Sequence, residues 1–380
     1  MSKFSVLIPL HDYRIQKEEM NINNFVRPNI RDLKPYEPGK PIEEVQRELG
    51  LKNIIKMASN ENCLGPSPLA VKAIKESLDG INLYPDGNGY YLKKKIAYSL
   101  GVGEEQIILG NGSDEIIRMI VETFLKEGEQ AVIAEPSFVI YRIAVRIVNG
   151  KSVIVKLKND RYAMESMAEA IGTQTRIVFV ANPNNPTGTM VTKDEVESYL
   201  EKVPEGVITV FDEAYFEYVE RDDFPETIKY IKNGSAVVCL RTFSKIYGLA
   251  GLRIGYGVSQ PEIISGMNRV RQPFNANSLA QVAAISALDD EKHLKKSREV
   301  NCAGKRFLCL ELDRLNIPYI PSEANFMLIK TGKGTQTAGS LLKRGIIVRD
   351  MSSYNLSDFI RVTIGTQEEN RKFVEELSAL

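Results

Sequence analysis

The sequence has no tryptophan, only two histidines (His11 and His293) and four cysteines (Cys63, Cys239, Cys302 and Cys309), none of them in a Cys-x-x-Cys pair. That inventory argues against a zinc site of the Cys/His type and against a disulfide framework, and it suits a reducing compartment. No metal site is expected. Neither sign of charge is in excess, with 49 Lys and Arg against 49 Asp and Glu, so no basic surplus draws the chain to nucleic acid or an anionic membrane. The one basic run, Lys93 to Lys95, falls in a helical pattern and reads as a solvated face. No apolar stretch reaches the length of a membrane span. The apolar FSVLIPL near the start is followed by His11, Asp12 and Arg14 instead of a small-residue cleavage site, so no secretion signal is expected. A soluble, cytoplasmic, globular protein is the expectation that remains. Its composition is ordinary, 43% hydrophobic and 26% charged, and its 380 residues suffice for a large core with a second lobe.

From about residue 67 the chain alternates helical and strand patterns. Ser67 followed by Pro68 starts a helix, which Gly80 stops. Short apolar strands then recur at 106–109, 131–134, 152–157, 176–181, 206–211, 236–240 and 252–258, most of them separated by helical stretches. Near-continuous apolar strands spaced by helices predict an α/β fold whose mostly parallel central sheet is sandwiched by helices. After about residue 260, two long helical patterns lead to strands at 326–330, 345–348 and 359–365, predicting a smaller α+β domain. The expected division is a possibly disordered extension over 1–25, a large domain over 65–275, and a small domain built from 26–64 and 276–380. The proline-rich 26–41 reads as an extended arm.

In open parallel sheets, ligands bind beyond the carboxyl ends of the strands. Those ends are polar and varied here. GNGSDE (110–115) places Gly112 and Ser113 at a helix start suited to a phosphate. EPSF supplies Phe138, NPNNPTG supplies Asn185, DEAY supplies Asp212 and Tyr215, and RTFSK supplies Thr242, Ser244 and Lys245, with Arg253 a little further on. Each has a bland reading alone: a turn, a cap or a surface lysine. Together they match one ligand, pyridoxal 5'-phosphate. Its aldehyde requires an amine (Lys245), and its ring nitrogen stays protonated beside a buried carboxylate (Asp212). Its phenolic oxygen takes hydrogen bonds from Asn185 and Tyr215. Its phosphate takes Gly112, Ser113, Thr242, Ser244 and Arg253, and Phe138 stacks on the ring. Lys245, Asp212 and Tyr215 are the candidate catalytic residues. A dinucleotide-binding sheet is disfavoured because GNGSDE lacks the third glycine of that fingerprint.

At these motifs the sequence resembles the fold-type I aminotransferases, from about Val26 onward. Within them it is most similar to the histidinol-phosphate aminotransferase family, through VRPNIRDLKPYEPG, SNEN with LGPSP, LYPDGNG, LGNGSDE, RTFSK and VRQPFNANSLAQ (270–281). The resemblance implies transamination of histidinol phosphate with 2-oxoglutarate or glutamate, within histidine biosynthesis, by a homodimer with shared active sites. It implies that Tyr84 reaches the cofactor phosphate of the other subunit, that Tyr36 reaches across to the substrate, and that Arg361 and Arg349 hold the substrate's anionic group. The strand pattern around Arg361 by itself leaves solvent or a cleft as its destination. Related aromatic or prephenate aminotransferases and phospho-amino-acid decarboxylases share the cofactor motifs, so those motifs do not separate the reactions. Cys63 stands where the family usually has proline, and residues 1–24 have no counterpart in it.

Overall fold

The computed structural model describes residues 22, 25–35 and 39–380. Tyr36 and nearly all of the N-terminal extension lie outside the described residues. Residues 35–380 form one compact unit. Ahead of it, where an extended arm was expected, the segment 25–34 contains the one-turn helix Pro28–Arg31. Proline is tolerated there because the first helical position has no use for an N–H.

The larger sheet contains β2 (Ile107–Gly110), β3 (Gln130–Glu135), β4 (Lys151–Lys156), β5 (Thr175–Ala181), β6 (Ile208–Asp212), β7 (Val237–Thr242) and β8 (Gly255–Val258), in the order β2-β8-β7-β6-β5-β3-β4. The pairs β3–β4, β3–β5, β5–β6 and β6–β7 are parallel. The strand β8 is the exception, running antiparallel to both β2 and β7. It follows β7 without a crossover helix, through the short turn Ala250–Leu252, which an antiparallel neighbour permits and a parallel one does not. Two reversals restore direction, so the carboxyl end of β2 falls on the same edge as those of β3, β5, β6 and β7. Gly255 lets β8 approach that edge closely: a Cβ there would lie 2.7 Å from the Ser113 amide nitrogen and 3.0 Å from the Arg241 carbonyl.

The second sheet contains β1 (Ile55–Met57), β9 (Tyr319–Ile320), β10 (Phe326–Lys330), β11 (Ile346–Asp350) and β12 (Phe359–Thr363), in the order β1-β11-β12-β10-β9. Strands β1 and β9, of three and two residues, are too short to show a period in the sequence. Each sheet has its own buried cluster. The larger one runs through Ile133, Phe179 and Val210, and the smaller through Met327, Val362 and Phe373.

The helix Pro68–Glu76 starts as its sequence requires, with Ser67 Oγ accepting the Ala70 amide and Pro68 opening the first turn. Lys93 departs from the expected solvated face: it is buried, and burial lowers its pKa. Ile96 and Ala97, three and four positions on, place it on the core side of the helix Tyr90–Leu100, with its aliphatic stem packed inward. Among the described residues, no helix is long and apolar enough to cross a membrane.

Candidate active site

A cavity of about 270 Å³ opens where the polar strand ends meet the second sheet. Ser113, Phe138, Asn185, Asp212, Tyr215 and Lys245 line it, together with Thr242, Ser244, Arg253, Arg349 and Arg361. Gly112 stands directly before Ser113. Tyr84 is not brought there: it lies on the surface, 83% exposed, with its ring stacked on Phe274 at 4.6 Å between centroids.

Asp212 is the last residue of β6 and is buried. Tyr141 donates to its Oδ2 at 2.8 Å, and the Ala214 amide donates to its Oδ1 at 3.2 Å. Burial pushes its pKa up to about 6 against the lowering effect of the Tyr141 hydroxyl, and the nearby Asp114 carboxylate adds to the rise. Sequence reasoning missed Tyr141. The available signal was its position three residues after Phe138; the two rings meet edge to face at 5.6 Å, and Tyr141 stacks on Phe179 at 4.7 Å.

The anion side is built at the helix Ser113–Phe124. Its N-cap is Gly112, at φ 78°, which contributes no capping side chain, so the first-turn amides face outward at the positive end of the dipole. A Cβ at Gly112 would run into the Arg253 guanidinium; glycine therefore both tolerates the left-handed backbone and admits the cation. Arg253 Nη1 also reaches Ser244 Oγ at 3.5 Å, and Arg253 Nη2 stands 3.7 Å from Asp114. Thr242 Oγ1 accepts the Ser244 amide at 3.1 Å, fixing that turn.

On the other side, Lys245 Nζ points to the Ser59 carbonyl at 3.5 Å and lies 5.5 Å from the Tyr215 ring centre. Tyr215 is buried, and its hydroxyl accepts from Asn60 Nδ2 at 3.0 Å. Burial raises the phenol's pKa against the lowering influence of Arg361 and Asn60, so it remains a donor. Arg361 goes to the cleft and not to solvent. It is 6% exposed, and donates to Asn185 Oδ1 at 2.6 Å and to the Ala58 carbonyl at 2.9 Å, while Nε has no partner among the described residues. Its bond to Asn185 Oδ1 turns the amide's Nδ2 away as a donor. Arg349 is paired directly opposite Arg361 across β11 and β12. Like charges so placed repel, a cost that an anion between them converts into binding.

The donor set matches the ligand inferred from the strand ends. A helix terminus beside a guanidinium suits a phosphate, and a desolvated carboxylate near pKa 6 gains from a cationic ring nitrogen. Two donors at Asn185 and Tyr215 suit a phenolic oxygen, and an amine suits an aldehyde. The residues present fit pyridoxal phosphate on each side.

The chain belongs to the class I and II aminotransferases, whose family model matches residues 52–377, and its architecture is that of the fold-type I pyridoxal phosphate enzymes. It is 51% identical to a histidinol-phosphate aminotransferase of Moorella thermoacetica, with 92% of each chain covered. It is 48% identical to a second such protein, from Carboxydothermus hydrogenoformans, over 93% of this chain and 98% of that one. The crystal structure of histidinol-phosphate aminotransferase from Sinorhizobium meliloti in complex with pyridoxal-5'-phosphate superposes with a TM-score of 0.83 at 28% identity, covering 93% of this chain and 95% of the other. Within its class, the chain is a member of the histidinol-phosphate aminotransferase family.

The raised pKa of Asp212 has a consequence for stability without cofactor. A carboxyl whose folded pKa lies above its unfolded value near 3.9 stabilises the fold at low pH, and that contribution is lost as pH rises through about 6. Relative to Asp212→Asn, the cofactor-free protein should lose about 2 kcal/mol between pH 4 and pH 7. Urea unfolding of both proteins across that range measures it, and parallel pH dependences would place the proton elsewhere.

Proposed function

We propose that the protein transfers an amino group between L-histidinol phosphate and 2-oxoglutarate, forming imidazole-acetol phosphate and L-glutamate, with pyridoxal phosphate held by the residues above. The reaction belongs to histidine biosynthesis, and the proposed location is the cytoplasm. The observation that carries this reading is the opposed pair Arg349 and Arg361 in the same cavity as Lys245: one cationic clamp beside one amine suits substrates that each bear an anionic group and exchange an amino group.

Once bound, the cofactor supplies an aldehyde for amine exchange and a protonated ring that draws electron density from the substrate's α-carbon. Asp212 holds the ring-nitrogen proton, and Tyr141 and the Ala214 amide keep the carboxylate aimed. Lys245 Nζ takes and returns the proton at the substrate's α-carbon. Asn185 and Tyr215 donate to the phenolic oxygen. Gly112, Ser113, Thr242, Ser244 and Arg253 anchor the phosphate, and Phe138 covers the ring. Arg361, assisted by Arg349, binds the α-carboxylate of glutamate in one half-reaction and the phosphate of histidinol phosphate in the other. The domain boundaries proposed are a cofactor domain over 65–275 and a substrate-side domain over 26–64 and 276–380.

The active form proposed is a homodimer. Tyr84 and its neighbours Ile81 and Leu83 are exposed apolar side chains, more than a monomer's surface gains from in one short segment, and Tyr84 would enter the partner's phosphate site. Tyr36 is assigned to the partner's substrate by the same reading. Sedimentation at micromolar concentration should give twice the 42.6 kDa chain mass; a monomer that retains full activity would refute the shared site.

The test of the reaction is a single half-reaction. Loaded protein mixed with histidinol phosphate or with glutamate, without any oxo-acid, should lose its visible band rapidly, and much more slowly with phenylalanine. Equal or faster loss with phenylalanine would move the assignment to an aromatic aminotransferase. Lys245→Ala should show neither band nor turnover. Arg361→Ala should raise KM for both glutamate and histidinol phosphate by roughly tenfold or more, and unchanged values for both would remove it from the clamp.

A further inference from the structure

Three consecutive residues before the large sheet each hold one functional side chain. The Ala58 carbonyl accepts from Arg361 at 2.9 Å, the Ser59 carbonyl from Lys245 at 3.5 Å, and Asn60 Nδ2 donates to Tyr215 at 3.0 Å. Asn60 is the only one acting through its side chain, and it is held tightly. Its amide donates to Thr363 Oγ1 at 2.9 Å, Thr363 Oγ1 donates back to Asn60 Oδ1 at 3.3 Å, and the Asn60 carbonyl accepts from Asn325 Nδ2 at 3.0 Å. It is 1% exposed and has φ 56°, a left-handed backbone that costs free energy in any residue but glycine and is most tolerated by Asn and Asp.

These contacts fix which end of the Asn60 amide meets the phenol. Thr363 takes Asn60 Oδ1, so Nδ2 must face Tyr215. A phenol oxygen that is already accepting one hydrogen bond has its own proton left to donate, and among the described residues no acceptor takes that proton. The cavity is where it is available.

We propose that Asn60 is a positioning residue that sets the direction of the Tyr215 hydroxyl, holding its proton toward the cofactor's phenolic oxygen. The proposal rests on the cofactor reading above. Thr363, which locks Asn60, stands two residues beyond Arg361 in β12, so the strand bearing the substrate clamp also sets the cofactor-side donor.

A donor at the phenolic oxygen stabilises its anionic form. Without it the oxygen is more basic, and the proton it shares with the adjacent nitrogen is released at higher pH. The measurement is therefore the pH midpoint of the visible band of the loaded protein, with the thermal unfolding midpoint as a check on folding. Asn60→Gly keeps the backbone contacts and suits the positive φ. It should raise the midpoint by about half a pH unit, roughly threefold in proton affinity. Tyr215→Phe should raise it by more, and adding Asn60→Gly to Tyr215→Phe should move it by less than about 0.2. If the glycine variant fails to fold, Asn60→Asp preserves size and backbone tolerance; its carboxylate draws the phenol's proton, and its effect should again shrink beside Tyr215→Phe.

An equal shift with and without Tyr215 would overturn the proposal. So would a shift for Tyr215→Phe with none for Asn60→Gly, an outcome that leaves the cofactor reading intact. A wild-type protein that never develops a visible band would overturn both.

Discussion

A carboxylate buried at the end of a central strand is the constraint around which the rest is arranged. Asp212 is taken out of water by the packing of β6 between β5 and β7, a transfer that disfavours its charge. One phenol and one amide cannot fully offset that cost, as its pKa near 6 shows. The chain thus keeps, at its centre, an acid whose most favourable partner is a cation. On the proposed reading, that cation is the protonated ring of the anchored cofactor.

The anchoring follows from sheet geometry. Five parallel strands and one restored by two reversals present their carboxyl ends on one edge, so residues far apart in the chain converge there without long loops. The close approach of Gly255 to the Ser113 amide holds the helix terminus against the sheet, and Gly112 admits Arg253 beside it. The second sheet brings the complementary chemistry: two opposed arginines, and through Thr363 and Asn325 the clamp on Asn60. The residues proposed to hold cofactor and substrate therefore come from different sheets that meet across the 58–60 strip.

Much of this was legible beforehand. The strands β3, β5, β6 and β7 are apolar runs that end abruptly in polar residues, a pattern that reveals both the sheet and its functional edge. Lys245, Asp212 and Asn185 could be placed because each follows such a run. The reversal of β8, the short strands β1 and β9, and the burial of Lys93 were not legible. Periodicity reports neither strand direction nor the few residues of a short edge strand, and a lysine's long stem lets it occupy a face that its charge alone would forbid.

The sequence by itself determined the local decisions: which segments are helices or strands, where a phosphate finds free amides, and which side chains stand at strand ends. These depend on residues within one or two turns of one another. Tertiary structure alone decided whether Arg361 meets solvent or cleft, that Tyr141 supports Asp212, and that Asn60 faces Tyr215. The bonds of Arg361 to Ala58 and of Thr363 to Asn60 join residues 303 positions apart. No short-range pattern encodes such a meeting, because it exists only once both sheets have packed and desolvated the groups between them.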